Sequence, residues 1–414
     1  MDLDSSSSSS SGRSKRSRIE PEPSSGMEIL PREIAFDILS RLPITSLVQF
    51  KCVSRGWRSL AEDPLLVTHL LSQPCDKDDP CLILHCDYPI RNHLYFSDLS
   101  VRDASARDDK VRKIHTPFWD IMQEFEVVGS CNGLLCVSDS LYNDALCIYN
   151  PFTGKKLELP KSVNYPDQEV VYGFGFHPKT KEYKVIKIVY YRNVGRGSSI
   201  FRSRRTIYPQ SEVQVLTIGS STWRSLGKVP YRLVRCPTEA LLINGMLHWV
   251  SRPRGNYRPS RRIVSFDLAD EEFRELPKPD CGGLNRCNFH LSVLGGRLSA
   301  AVYGNYGRLE IWVMRQYNVK ESWTKEYNIG AYMPKGLKQS PDRSFKIYKS
   351  GRAVRVVCLL KNGEILLEYK SRALVTYDPK HAKFKDLAFQ GLPSWFHTVV
   401  HVGCLNWIDT PLDT

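Results

Sequence analysis

No apolar run in this 414-residue chain approaches the roughly 18 residues that a membrane span needs. The amino terminus is acidic and serine-rich and lacks the hydrophobic centre of a secretory signal. Twelve cysteines are scattered without the dense spacing of a disulfide framework, which predicts reduced thiols in an intracellular protein. No phosphate-cradling loop and no paired-carboxylate arrangement stands out, and no cysteine–histidine spacing matches a common zinc site. Acidic residues are scarce in one place: between 192 and 262, two glutamates face fourteen lysines and arginines. Residues 1–26 hold four charges of each sign and 27–72 five of each, so the net +14 lies beyond residue 72, most of it in that one stretch. Basic character confined to one segment is not the profile of a chain built around nucleic acid.

What is present suits a folded protein of two or three domains, with 42% hydrophobic residues. Residues 1–26, with serines at every position from Ser5 to Ser11 and Pro21-Glu22-Pro23, read as a disordered tail. The run Arg13-Ser14-Lys15-Arg16-Ser17-Arg18 fits a nuclear import signal and equally a solvated charged tail. The expected location is nucleus, cytoplasm or both.

From Leu30 to Leu71 apolar residues recur at helical spacing, interrupted by prolines. Ile34, Ile38 and Leu42 form one stripe of a first helix. Pro31 suits its first turn, Glu33 complements the positive end of its dipole, and Pro43 stops it. Thr45 is placed to cap a second helix carrying Leu47 and Phe50, and Val53, Trp57 and Leu60 make a third stripe. Asp63-Pro64, a cap followed by proline, opens a fourth helix. A unit of roughly 45 residues cannot bury that much apolar surface alone, so something else covers part of it. Leu30-Pro31, Ile38 to Pro43, Val53 to Leu60 and Asp63-Pro64 together resemble the F-box, in register over most of residues 27–72. The resemblance implies docking on a Skp-type adaptor, and through it on the cullin scaffold of a ubiquitin ligase. It assigns Leu30, Pro31, Ile34, Ile38, Leu39, Leu42, Pro43, Leu47, Val53, Trp57 and Leu60 to the helical module and its adaptor contact.

After residue 73 short runs of Val, Ile, Leu, Tyr and Trp alternate with turns. An apolar run, a tight glycine turn and a second apolar run appear at 127–136, 241–249, around Gly295-Gly296, at 357–367 and at 399–407, with a longer-turn variant at 173–186. Asn-Gly between apolar runs is a strong hairpin signal, because both turn residues take positive φ. A second strand pair follows most of these, at 148–160, 215–226, 266–277, 311–325 and 377–387. Four strands, a–b then c–d, repeating at about 50 residues are the blades of a β-propeller. Six a–b hairpins but five c–d pairs follow in order; the missing pair is expected upstream, at 81–85 and 93–96. The expected architecture is a small all-α module followed by an all-β, six-bladed propeller over 73–408, closed by two strands from each end, with a tail at 409–414. Ser130 to Cys136, Tyr149-Asn150-Pro151, Gly173-Phe174-Gly175-Phe176 with Tyr183-Lys184-Val185, and Asn244 to Trp249 resemble the F-box-associated domain of large plant F-box families, sometimes described as kelch-like.

Two apparent chemical motifs dissolve in context. Gly129-Ser130-Cys131-Asn132-Gly133 has the spacing of a nucleophile elbow, but an elbow needs strand then helix, and both flanks here are strands. Cys281, Cys287 and His290 sit around a glycine pair that marks a loop, and no metal is expected there. His248, in a strand, reads as a packed core histidine. The expectation is a non-catalytic receptor without cofactor or metal, holding a protein target on the propeller. The alternatives are a basic nucleic-acid-binding propeller and, less supported, a propeller hydrolase or lyase. In a four-stranded blade the b–c and d–a connections share one face. That placement puts Arg196, Arg202, Arg204 and Arg205 of one blade beside Arg252, Arg254, Arg258, Arg261 and Arg262 of the next, with Tyr257 among them. Guanidinium groups grip carboxylate and phosphate, so an acidic or phosphorylated target is expected there.

Overall fold

A computed structural model describes residues 30–72, 80–97, 99, 111–192, 210–234, 240–252, 261–281, 288–304, 308–338 and 354–408. The serine-rich stretch 1–26 and the tail 409–414 lie outside the described residues. Four short helices come first: α1 (Arg32–Ser40), α2 (Ile44–Phe50), α3 (Arg55–Ala61) and α4 (Pro64–Ser72). Three strands follow, β1 (Cys81–Tyr88), β2 (Leu94–Ser97) and β3 (Arg112–Ile114), and then the blades in chain order. Blade I is β4 (Phe125–Cys131), β5 (Leu134–Asp139), β6 (Leu146–Tyr149) and β7 (Lys156–Glu158). Blade II is β8 (Glu169–His177), β9 (Glu182–Tyr191), β10 (Gln210–Thr217) and β11 (Arg224–Gly227). Blade III comprises β12 (Arg232–Leu233), β13 (Leu241–Ile243), β14 (Met246–Arg252), β15 (Ile263–Asp267) and β16 (Phe273–Leu276). Its inner position is shared by β12 and β13, which pair with opposite ends of β14. Blade IV is β17 (Asn288–Leu294), β18 (Arg297–Tyr303), β19 (Leu309–Met314) and β20 (Trp323–Ile329). Blade V is β21 (Val354–Leu359), β22 (Ile365–Tyr369), β23 (Ala373–Asp378) and β24 (Lys383–Leu387).

Blade VI closes the ring. Its strand order is β25 (Trp395–His401), β1, β2, β3. The two-plus-two closure expected from the sequence is therefore corrected to one strand from the carboxyl end and three from the amino end. The physical reason is occupancy: β1 pairs with β25 from Cys81↔His401 to Tyr88↔Trp395, so the place beside β25 is already taken. Residues 402–407, read from sequence as the second strand of a hairpin, instead run as a strap across blades I and II. Asn150 Nδ2 donates to the carbonyls of Cys404 (3.0 Å) and Asn406 (2.7 Å). Asn406 Nδ2 donates to the Asn132 carbonyl (2.8 Å) and the Tyr183 hydroxyl (3.0 Å). Gly133 lets this strap pass, since a Cβ there would sit 2.7 Å from Cys404 Cβ.

Successive blades touch all the way round, through their inner strands except between blades II and III, where β8 meets β14, and β25 touches both β21 and β4. Two side-chain devices tie β25 to its neighbours. Glu368 of β22, buried, accepts the Thr398 N–H (2.7 Å), while Arg355 of β21 pairs with Glu368 (2.8 Å) and donates to the Thr398 carbonyl (2.5 Å). The backbone groups on the open side of the inner strand are thus satisfied by blade V. On the other flank Ser130 Oγ bonds His401 Nδ1 (2.9 Å), and Phe152 stacks on the His401 ring.

The thiol expectation holds for eight described cysteines, which are free. It fails at Cys281, which is disulfide-bonded.

Two measurements follow from this closure. Truncation after Gln390 removes β25 and the strap and leaves β1, β4 and β21 with unpaired faces. An insoluble or protease-sensitive product is expected, and unchanged melting would refute the closure. The second measurement is pH dependence. Burial pushes His85 and His401 down from 6.5 to about 3, and His248 down to about 4. Above pH 6.5 these rings are neutral both folded and unfolded. As pH falls from 6.5 toward 4 only the unfolded chain takes up the protons. Stability therefore drops with falling pH, by at most about 1.4 kcal/mol per pH unit for each ring. His401→Gln should flatten the measured slope of unfolding free energy in that window; an identical slope would show that His401 does not titrate this way.

Candidate functional site

The helical module begins at Pro31, whose carbonyl accepts the N–H groups of Ile34 and Ala35, each at 3.0 Å. Proline therefore sits at the cap, one residue before the first helical turn to which the sequence assigned it. Pro43 does the same for α2, accepting from Ser46 (2.9 Å) and Leu47 (3.1 Å). This corrects the expected cap at Thr45, which lies inside the helix; Pro43, read as a stop, is also the start. Ser54 Oγ caps α3 by accepting the Trp57 N–H (3.2 Å), and Trp57 stacks on Phe50 at 4.5 Å. Asp63 caps α4 as its sequence predicts, Oδ1 accepting the Leu65 N–H at 2.9 Å. Arg32 ion-pairs with the same aspartate, joining the first helix to the fourth.

These helices sort the assigned residues into two groups. Ala35 and Leu39 form the inward edge of α1, with Leu39 at 0% exposure. Leu47 is likewise buried, and Leu42, Trp57 and Leu60 pack half-buried against the core. Leu39 and Leu47 thus belong to the packing of the module. Ile34 and Ile38 face outward along one line of α1, at 50% and 40% exposure, and Leu30, just before the helix, is exposed as well. Pro31, Pro43 and Val53 are exposed too. Leu65 is exposed and was not singled out from sequence, because only its helix's docking leaves it outside.

The inner side of the module is continuous with the core of blades VI and I. Leu39, Ile44, Leu47, Leu66 and Val67 share one buried cluster with Cys81, Ile83, Phe96, Phe125 and Val399. A Cβ at Gly403 would lie 2.7 Å from Ile44 Cγ2, so helix α2 sits directly on the backbone leaving β25. Lys51, 2.7 Å from Glu62, holds that carboxyl below its usual range, and Lys155 from the c–d turn of blade I adds to the effect. Ile44 touches Gly403 and Glu62 lies near Lys155, so the helices occupy the end of the propeller that carries the a–b and c–d turns.

The b–c connections of blades II and III, after Tyr191 and Arg252, leave from the opposite end. Arg196, Arg202, Arg204, Arg205, Arg254, Tyr257 and Arg258 lie outside the described residues. Arg252 is the last residue of β14, opposite Arg232. Arg261 donates to the Phe289 carbonyl (3.3 Å), and Arg262 pairs with Glu275 (2.7 Å). Both therefore also serve local structure on blades III and IV.

The apparent catalytic motifs resolve as structure. Asn132-Gly133 is the β4–β5 turn, with φ of 48° and 79°. Burial pushes the Cys131 thiol up to about 12, far from a reactive thiolate. His248 is a core residue, its Nδ1 at 3.0 Å from the Leu241 carbonyl and its Nε2 at 2.7 Å from the Tyr317 hydroxyl. Cys281, disulfide-bonded, has no thiolate to offer a metal, and Cys287 lies outside the described residues.

Known proteins repeat this arrangement. Residues 83–406 match the family described as F-box associated beta propeller domain, and residues 27–73 match the F-box-like family. An Arabidopsis thaliana protein, "F-box protein At3g07870", is 59% identical over 402 residues, covering 94% of each chain. "F-box protein CPR1" of the same plant is 27% identical over 399 residues, covering 92% of this chain and 89% of its own. Among solved structures, an oligogalacturonate lyase in complex with manganese superposes with a TM-score of 0.40 at 8% identity, covering 72% of this chain and 71% of its own. That likeness is too low to bear on chemistry.

The two sides of α1 should separate by mutation. Leu39→Ala is expected to cost about 2–5 kcal/mol in the module's packing. Ile38→Ala, on the outer line, should stay within about 0.5 kcal/mol. Denaturant unfolding of both variants reads the difference, and equal costs would refute this assignment of faces.

Proposed function

The chain belongs to the F-box proteins that carry an F-box associated β-propeller domain, and from that premise we propose that it is the substrate-recognition subunit of a Skp–cullin–F-box type ubiquitin ligase. One observation carries the reading: Ile34 and Ile38 stay exposed on a helix whose other side is packed through Ala35 and Leu39, with exposed Leu30 just before it. Apolar surface left open after folding is the mark of an interaction site. In this reading the line seats a Skp-type adaptor, which connects to the cullin. The propeller holds the target and supplies proximity rather than a nucleophile.

The two ends of the propeller give this reading its geometry. Adaptor contacts lie where the helices pack, and the b–c and d–a connections point the other way, toward a target. The arginine-bearing connections of blades II and III emerge at that far end, and the acidic or phosphorylated target expected from the sequence is proposed to meet them there.

The test uses the full chain co-expressed with a Skp adaptor. Leu30→Ala with Pro31→Ala, and separately Ile34→Asp with Ile38→Asp, should abolish co-purification of the adaptor while melting is unchanged. Undiminished adaptor capture by both folded double mutants would overturn the reading. Salt-sensitive binding of nucleic acid by the propeller, with no adaptor bound, would favour the nucleic-acid alternative.

A further inference from the structure

The end of the propeller far from the helices is unevenly charged. On that end d–a connections leave after β11, β16 and β20, and b–c connections after β14, β18 and β22. Lys228 follows β11, Lys278 follows β16, Arg308 precedes β19, and Lys335 and Lys338 follow β20. None of these carries an ion pair among the described residues. All are exposed except Lys278, which is half-buried. The β22–β23 connection adds Lys370 and Arg372. Asp280 is the one carboxylate on the described parts of these connections. From β1 to β8 the connections on the same end carry Arg91 and Lys161 against Asp120, Glu124, Asp144 and Asp167. The basic arc thus belongs to blades III, IV and V and the connection leading into them.

The backbone under these charges is fastened. The Val229 carbonyl beside Lys228 accepts Ser211 Oγ at 3.4 Å, and the Pro277 carbonyl before Lys278 accepts Trp323 Nε1 at 2.9 Å. The Arg308 carbonyl accepts the Gly304 N–H at 2.9 Å. Asp386 accepts the Lys335 N–H (3.0 Å) and the Tyr332 hydroxyl (2.7 Å), and Tyr332 stacks on Phe384 at 4.3 Å. Other carboxylates at the adjoining strand ends are engaged as well, Glu275 with Arg262 (2.7 Å) and Glu310 with Lys325 (3.2 Å). The fold therefore holds like charges along an arc with Asp280 alone against them. Such an arrangement repels itself in the free protein, and an anionic partner relieves it.

The kind and spacing of the charges narrow the partner. A single phosphate is gripped by convergent guanidinium groups in bidentate pairs. Here Lys228, Lys278 and the pair Lys335 and Lys338 stand on three separate connections. Ammonium groups spread in that way act as point charges and fit anionic groups spread along a chain. Single-stranded nucleic acid needs aromatic faces beside the basic groups. On this arc such rings are engaged within the fold, Tyr332 on Phe384 and Trp395 under Arg372 at 4.9 Å. The exposed aromatic residues among the described ones, Tyr88, Trp119 and Tyr142, all precede β6. Resting on the receptor reading above, we infer that the connections of blades III, IV and V bind an extended acidic segment of the target, a run of aspartate and glutamate recognised by summed charge. This names the chemistry of the target and extends its surface beyond the arginine-bearing connections of blades II and III.

The test measures fluorescence anisotropy on the full chain co-expressed with a Skp adaptor. Three labelled probes are compared: a peptide of consecutive glutamates, a neutral peptide carrying one phosphoserine, and oligothymidylate with the net charge of the first. The glutamate peptide should bind most tightly, and added salt should weaken it. Lys228→Glu, Lys278→Glu, Lys335→Glu and Lys338→Glu together should weaken it roughly ten-fold or more, and each alone about two-fold. The single exchanges keep the test decisive if the combined variant fails to fold. Lys320→Glu, Lys380→Glu, Lys383→Glu and Lys385→Glu together change the net charge equally, on the c–d turns and outer edge of blades IV and V. That second set should leave binding as it is. The inference is overturned by glutamate-peptide binding that the first set leaves undiminished, by equal weakening from the second set, or by tighter binding of the phosphopeptide or of oligothymidylate. Adaptor retention in the same samples reads the receptor function separately. Glutamate-peptide binding without adaptor would sink that reading and leave the acidic-segment site standing; adaptor without peptide would do the reverse.

Discussion

The pairing of β25 with β1 is the contact on which the molecule depends. It joins residues more than three hundred positions apart, from Cys81↔His401 to Tyr88↔Trp395. Without it the ring has two open edges, each a row of unpaired backbone groups. With it, blades V, VI and I lock through Glu368 and Arg355 on one flank and Ser130 with His401 on the other. The single contributed strand is inner rather than outer, so its loss would disturb both neighbouring blades.

The same closure positions the helices. The backbone leaving β25 passes Gly403, where the missing Cβ lets Ile44 of α2 approach closely. The strap then continues to Asn406, which reaches Asn132 and Tyr183. Helical module, ring closure and the first two blades are therefore one packed assembly, with a single apolar cluster running from Leu39 to Phe125. In the receptor role proposed above, that continuity keeps a target at a set distance from a bound adaptor, because a loose joint would dilute the proximity supplied.

The two ends of the propeller differ. The helix end carries the exposed apolar line of Ile34 and Ile38, and the b–c connections of blades II and III leave from the other.

Much of this was legible in the residues themselves. Asn-Gly turns between apolar runs, and the return of the four-strand unit, set the propeller and its six blades. Prolines and helical spacing marked out the module, and Asp63-Pro64 began its last helix as expected. These signals are local: turn geometry, caps and periodicity act over a few residues, and the sequence by itself determined them. Long-range competition lay beyond it. Residues 399–407 carry a hairpin pattern, yet β1 takes the neighbouring place and the second half becomes a strap. Ile34 and Leu39 are equally apolar, yet only packing against blades VI and I decides that Leu39 turns in and Ile34 stays out. Asn150 belongs to a recognisable Tyr-Asn-Pro motif, but its role is to hold carbonyls some 250 residues away. Leu65 carried no signal at all, since exposure is a property of the assembled surface. Such choices depend on which surfaces meet once the ring is closed, and only the tertiary structure decided them.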